Sequence, residues 1–464
     1  MQAQTTQWNC RTSTLPNGIR VITNERPDFG MSVGAFLDAG VRDETQDSRG
    51  ACHVLNRLAF QGYGSCSAEQ LRARMDKIGG RTSAQALREN LIFSFETLPS
   101  DFEEMMDILC GTLLHPRVTT EDIHQLAYLL PFEQDALKRD HLNWMIEEAH
   151  NVAYQGGTLG RTLLPEVQDL ENITPAKVHQ FLQDHVVGEK LVIAGTGISH
   201  DVLVKAVEKH LHQVPSRSQQ RADAPERSKS VFLGGGHMTN PSILHNPEHL
   251  PPLTHMALIF KGFSWLQKES YAQHVLHVLL GGGNAFSSGG PGKGMYSRYY
   301  LRVLNRYHFI NSATSVTQSY SDSGIFGIYM NSPHDKAMAT MQVCVSELVR
   351  LVIEPYSEEE LNRAKAQLKS MMVMQLESRS IMTEHMGRSL LALGECKSAL
   401  ETCALIDQVT ADDCQQCAQK MLFENGVLGF AAQGDAHNLA SHSQLQEFFS
   451  PHALQGILKE SGRS

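Results

Sequence analysis

The sequence writes one plan twice, with a polar bridge between the copies. In the first copy a turn at Pro16-Asn17-Gly18 feeds a strand-like run at 19–22. A second apolar run at 32–37 follows, then a helix over 53–60, and later a strand at 191–195 leading into a helix over 201–212. Beyond residues 215–229, rich in Ser, Arg and Gln, the order restarts. A strand at 256–260 precedes a helix over 270–280, and long amphipathic helices follow over 337–353 and 358–377. His53-Val54-Leu55 in the first copy is echoed by His274-Val275-Leu276 at a similar place in the second. Strands mixed with long helices in both copies predict an α+β fold with two related domains, each a mixed sheet packed with helices. Their expected bounds are 14–214 and 230–450, with 215–229 as linker and a cavity enclosed between them. A chain of 464 residues is in any case too long for one ordinary core.

Composition removes several function classes. The formal net charge of −10 disfavours nucleic acid, whose phosphates need clustered Lys and Arg, and is compatible with a basic peptide ligand. No run approaches the ~20 apolar residues that span a bilayer. The most apolar helical stretch, 338–353, is interrupted by Glu347 and Arg350, so any membrane association has to come through a partner. Nine scattered cysteines predict reduced thiols, as in cytosol or an organelle matrix, and no disulfide framework. Cys414 and Cys417 form the one C-x-x-C, inside a run that reads as an ordinary helix. The first ten residues lack acids but are too short for a complete targeting helix, and leave open whether a signal preceded them.

The most specific local signal is Gly281-Gly282-Gly283-Asn284-Ala285-Phe286-Ser287-Ser288-Gly289-Gly290-Pro291-Gly292-Lys293-Gly294-Met295. Seven glycines and a proline in fifteen positions exclude a stable helix or strand interior throughout. A phosphate cradle needs Gly-Lys followed by Ser or Thr, whereas Lys293 is followed by Gly294. A bare interdomain connector would more often be polar, and this segment runs straight into the helical 295–301. The third reading is a mobile lid over a binding cavity, its glycines letting backbone approach an extended peptide closely.

A second segment, Gly50-Ala51-Cys52-His53-Val54-Leu55-Asn56-Arg57-Leu58-Ala59-Phe60-Gln61-Gly62, offers by itself only a lone His on an apolar helix face, which ordinarily just packs. It resembles, however, the H-x-x-E-H helix of the pitrilysin-type metallopeptidases, most closely the mitochondrial processing peptidase group. There two His on one helix face hold zinc and the intervening Glu activates the metal-bound water. Here His53 is kept, but Asn56 stands for the Glu and Arg57 for the second His. An amide takes no proton from water at neutral pH, and a guanidinium has no lone pair for a metal. The family's third ligand, at the family's spacing from position 57, falls on Glu133. Two surviving ligands are too few for a catalytic zinc, so the resemblance implies no metal, no catalytic residue and no cofactor. Self-sufficient peptidase activity would need His53, Glu133 and an unrecognised third ligand.

The glycine-rich segment is similar to the glycine-rich loop of the α-type subunits of that group, through the following Ser297-Arg298-Tyr299-Tyr300-Leu301. Further similar runs are 154–161, 171–173, 357–365 and 376–379, so the resemblance covers about 14–449. It implies two pitrilysin-like domains and a non-catalytic subunit that binds the presequences of imported proteins. A zinc-bearing β subunit would be its heterodimer partner, in the mitochondrial matrix. The related core subunits of respiratory complex III suggest the alternative, a core 2-type structural role on the matrix side of the inner membrane. The Asn56-Arg57 pair departs from the Glu-basic pair expected of α subunits and marks a divergent lineage.

Overall fold

The computed structural model describes residues 10–26, 29–219, 226–239, 253–285, 295–435 and 438–460. The chain forms two compact units. The first comprises Met1–Asp135, Leu163–Ser228 and Val373–Ala399, and the second Ala136–Thr162, Lys229–Met372 and Leu400–Ser464.

The first unit is built on a six-stranded mixed sheet. Its strands are β1 (Cys10–Thr14), β2 (Arg20–Asn24), β3 (Met31–Leu37), β4 (Arg81–Ala86), β5 (Leu91–Thr97) and β6 (Leu191–Thr196), in the order β1-β2-β6-β3-β5-β4. Only β2 and β6 run parallel. The second sheet contains β7 (Gly235–Thr239), β8 (Leu253–Gly262), β9 (Gly282–Asn284), β10 (Ser312–Ser319), β11 (Gly324–Pro333) and β12 (Leu428–Gln433), in the order β7-β12-β8-β11-β10-β9. Its one parallel pair is β7 with β12. Five strands therefore repeat with the same neighbours and directions: β2-β6-β3-β5-β4 matches β7-β12-β8-β11-β10. The expected duplication of a mixed α+β unit is present. The units differ at their edges, since β1 is added beside β2 in the first and β9 beside β10 in the second.

Each sheet is padded by a helix from the other half of the sequence. β3 is buried at all its positions because both its faces are covered. Val33, Ala35 and Leu37 join the core that includes Ala51, Val54 and Leu55 of helix Ala51–Leu58. Phe36 points the other way, against Met382, Met386 and Leu390 of helix Arg379–Leu393. Gly387 makes that packing possible, as a Cβ there would lie 2.3 Å from Phe36 Cδ2. In the second unit helix His141–Ala153 lies on β12, β8 and β7. The C-x-x-C falls in helix Ala411–Gln419, where both thiols are buried and burial pushes their ionisation upward.

Residues 220–225 of the expected linker lie outside the described residues. The residues after them are tied into the first unit by ion pairs. Arg227 meets Asp43 through Nε and Nη2, both at 2.8 Å, and Asp38 through Nη1 at 2.6 Å. Arg42 donates to the Ser228 carbonyl at 2.8 Å. The Asp43 side chain is 2% exposed, so Arg227→Ala leaves a buried carboxylate without its cation. The expected loss is about 2–3 kcal/mol, read by urea unfolding, with Arg217→Ala on the exposed side of the same stretch near neutral.

Candidate functional site

Helix Ala51–Leu58 begins at Gly50, whose φ of +86° suits glycine. Glu44 caps it, its carboxylate accepting from Gly50 N at 3.2 Å and Cys52 N at 2.9 Å. His53 sits on the buried face and Arg57 one turn later at the rim. Helix Thr120–Arg139 brings Glu133 to both. Arg57 Nη2 lies 2.6 Å from Glu133 Oε1, while His53 Nε2 is 3.7 Å from Glu133 Oε2, beyond a hydrogen bond. The residue at the family's third-ligand spacing therefore does reach the motif helix, where it finds a guanidinium.

The cluster's electrostatics follow from burial. Desolvation pushes His53 from its usual 6.5 down to about 4; Glu133 opposes this and Arg57 reinforces it. His53 is thus a neutral imidazole, and both its Nε2 and Glu133 Oε2 are buried without a hydrogen-bond partner. One imidazole, one carboxylate and a cation do not make a catalytic zinc site, which takes three protein donors and a water. Among the described residues no group of three or more His, Cys, Asp or Glu side chains could hold a metal ion. The donor set does not fit the metal, and no hydrolytic step can be routed through it.

Neutral buried imidazoles also set an acid limit. Burial holds His185 at about 4, and burial with the neighbouring His141 holds His255 at about 3. Unfolded, each would protonate near 6.5, so below that pH the unfolded chain binds more protons and stability falls as pH drops towards the folded values. Each group contributes up to about 1.4 kcal/mol per pH unit in that window. Urea unfolding at pH 7.5 and 5.5 should therefore show a clear loss at the lower pH, and His255→Gln should shrink it. Equal midpoints would contradict the neutral assignments.

The glycine-rich segment is described at both ends, while Phe286 to Gly294 lie outside the described residues. Its entry is built into the second sheet. Gly281, at φ +55°, ends helix Glu269–Leu280, its N–H donating to the His277 carbonyl at 2.8 Å. Gly282–Asn284 form β9, with Gly282 opposite Thr314 and Asn284 opposite Ser312. Ala285 N then donates to the Asn311 carbonyl at 2.8 Å. Side chains have no room in this stretch. A Cβ on Gly282 would lie 2.0 Å from the Ala313 carbonyl oxygen, and one on Gly283 2.5 Å from Tyr300 Oη. The first three glycines thus have structural grounds of their own.

The exit lies beside the entry. A Cβ on Gly281 would meet Ser297 Cβ at 2.4 Å, so the two stems touch at Gly281–Ser297 and at Gly283–Tyr300. Met295 packs partly buried against the second core. Arg298, 1% exposed in its side chain, holds Glu360 with two bonds, Nε at 2.7 Å and Nη2 at 3.0 Å, and lies 5.0 Å from the Tyr356 ring centre. Burial works against the Glu360 charge, but the Arg298 bonds outweigh it and keep the carboxyl below its usual 4.5. Arg363 stacks 5.8 Å from the Tyr296 ring. Two runs picked out only by resemblance, 297–301 and 357–365, therefore form one clamp on the loop exit. Their pairing was missed from sequence, where Glu360 is one of three consecutive acids and nothing marks it as the partner of Arg298. The run 154–161 serves the fold too, Tyr154 being buried with Oη 2.9 Å from Ser323 Oγ.

Two family models match the chain. Insulinase (Peptidase family M16) covers residues 20–166, and Peptidase M16 inactive domain covers residues 172–368. The chain is 31% identical over 453 residues to the mitochondrial-processing peptidase subunit alpha of Homo sapiens, spanning 96% of this chain and 85% of that one. The chain belongs to peptidase family M16. It is also 33% identical over 420 residues to the probable mitochondrial-processing peptidase subunit alpha of Schizosaccharomyces pombe, spanning 89% of this chain and 82% of that one. A probable subunit alpha-2, chloroplastic/mitochondrial, of Arabidopsis thaliana is 30% identical over 440 residues, 95% of this chain and 85% of its own. Within the M16 family the His53–Arg57–Glu133 cluster falls in the first matched span and the glycine-rich segment in the span described as inactive. Among the described residues no helix is long and apolar enough to cross a membrane.

Proposed function

We infer that this chain is the non-catalytic α-type subunit of a mitochondrial processing peptidase. In this reading it pairs with a zinc-bearing β subunit in the matrix and presents residues 281–295 to the presequences of imported proteins, which the β subunit cuts. The observation that carries the non-catalytic half is the Arg57–Glu133 ion pair, a cation from the motif helix lying on the carboxylate that its spacing marks as a metal ligand. The H-x-x-E-H helix is thus replaced by His53-x-x-Asn56-Arg57. Similarity to α subunits over most of the chain supports the recognition half. So does the way both stems of the glycine-rich segment are fixed to the second sheet, which leaves nine residues between two touching anchors. The net charge of −10 favours basic peptides at low salt.

The test is direct binding. A fluorescent basic amphipathic presequence should bind the heterodimer and lose most of its affinity when residues 286–294 are replaced by a short Ser-Gly bridge from Ala285 to Met295. Equal affinity for both forms would remove the loop from recognition. If the chain instead serves complex III as a core 2-type subunit, cytochromes b and c1 will come with it through purification from mitochondria.

A further inference from the structure

The face of the first sheet that carries helix Arg379–Leu393 is only partly filled. The helix packs on β2, β6 and β3. Thr383 holds it there, its Oγ1 donating to the Ser32 carbonyl at 3.3 Å and lying 2.9 Å from Thr196 Oγ1. Beyond the helix, over the same face of β5 and β4, lies a cavity of about 410 Å³. Its floor follows from the register, since directly opposed residues share a face. Ser94 and Glu96 of β5 stand opposite Ser83 and Arg81 of β4, and Ile92 stands opposite Phe36 of β3. Ile381 and Glu384 of the helix form the wall.

The second sheet shows the same place filled. His255 pairs with Gln433 and Asn331 as Ser32 pairs with Thr196 and Glu96, and Gln433 and Thr196 each close their strand. Asn331 therefore corresponds to Glu96, and Tyr329, two residues earlier, to Ser94. Tyr329 is 4% exposed and packs in a cluster with Met145 and Ala149 of helix His141–Ala153. Its Oη accepts from Asn331 Nδ2 at 2.9 Å and lies 2.8 Å from His255 Nδ1. The first unit thus has a serine in place of that ring and a carboxylate in place of the tied amide. Glu96 is half-buried, and its side chain makes no hydrogen bond or ion pair among the described residues. Arg81, opposite it, is exposed and likewise makes none. A half-buried carboxylate facing open space calls for a cation from elsewhere.

We propose that this cavity is a subsite for one arginine side chain of a basic presequence. The proposal rests on the reading of the chain as a presequence-binding subunit. The arginine stem lies along Phe36, Ile92 and Ile381, and the guanidinium donates to Glu96, with the Ser83 and Ser94 hydroxyls as further acceptors. Glu384 is already engaged by Arg388 at 3.1 Å and contributes less. Arg81 is the competitor, because it stands opposite Glu96 and repels an incoming cation. Removing its charge should therefore tighten binding.

The experiment measures binding of a fluorescent presequence to the heterodimer, together with a peptide series in which each arginine in turn is glutamine. E96Q keeps the size of the side chain and removes its charge, while S94Y supplies the ring that fills the second sheet. Each should weaken the parent peptide by ~10-fold, and R81Q should tighten it several-fold. For one peptide of the series, the one lacking the arginine that enters the cavity, E96Q should cost nothing further. Unchanged melting temperatures establish that the variants fold, and E96Q and R81Q decide the matter if S94Y does not fold. An E96Q penalty of equal size on every peptide would overturn the subsite, as would parent-peptide affinity unchanged by E96Q. In either case binding that still depends on residues 286–294 leaves the recognition reading standing. Failure of the unsubstituted heterodimer to bind any presequence would overturn both.

Discussion

Replacing Arg57 with His is expected to give the chain a three-donor zinc site. The backbone needed for a metal site is in place, since the motif helix and helix Thr120–Arg139 already set Glu133 2.6 Å from the Arg57 side chain and 3.7 Å from His53. An imidazole at position 57 would share the face of His53 one turn away and remove the cation, leaving three donors. His53, already neutral because burial holds its ionisation near 4, has its lone pair free at neutral pH. The gain in affinity should be at least ~1,000-fold, because even groups one shell removed from a metal are worth ~10–100-fold. Titration calorimetry and metal analysis after dialysis should find about one zinc in Arg57→His and none retained by the parent. Hydrolysis should still be absent until Asn56→Glu supplies a base. A folded Arg57→His chain that retains no zinc would mean that the two helices are not spaced for a metal.

The largest expected loss of stability comes from Glu360→Ala. Arg298 is buried by the second core and its guanidinium is neutralised by two bonds to that one carboxylate. Removing the carboxylate leaves a charge without counter-ion in the interior, at a cost of about 3–5 kcal/mol. Glu360→Gln, which keeps one acceptor but no charge, should cost about half as much. Two units need not unfold together, so hydrogen exchange is the sharper reading. Protection should fall first around Tyr299–Leu304 and β9, the two stems of the glycine-rich segment, and stay unchanged in β1 to β6. Uniform loss across both sheets would argue that Arg298 holds the unit as a whole and has no local role at the loop.

The fold was legible where side-chain period and burial agree. The helices read from sequence over 201–212 and 337–353 appear as His200–Leu211 and Ala337–Ile353, and the fully buried run at 191–195 is the central strand β6. β4 escaped notice because its edge position demands little, its sequence RTSAQA alternating only between small and polar residues. The padding of each sheet by a helix from the other half was invisible for another reason. Nothing in the period of 379–393 says which sheet it covers, and the decisive feature is the absence of a side chain at Gly387 opposite Phe36.

The site divides in the same way. His53 and Glu133 were legible only through resemblance, because their partnership spans 80 residues and rests on two helices crossing. That Arg57 would turn onto Glu133 follows from charge once the helices are placed, and not before. For the glycine-rich segment, sequence marked the composition but could not divide its glycines into kinds. Gly281, Gly282 and Gly283 answer to a helix end, a close strand and a tyrosine hydroxyl, needs that exist only in the folded unit.

The measurement that bears most directly on the account is presequence cleavage by the zinc-bearing β partner. It should be run alone, with the full chain, and with the chain in which Ala285 is joined to Met295 by a short bridge. Cleavage that requires the full chain, and falls by ~100-fold or more in kcat/KM with the bridged form, is the predicted result and corresponds to about 2.7 kcal/mol of lost transition-state binding. Equal cleavage with the full and bridged chains, in dimers that assemble equally well, would contradict it.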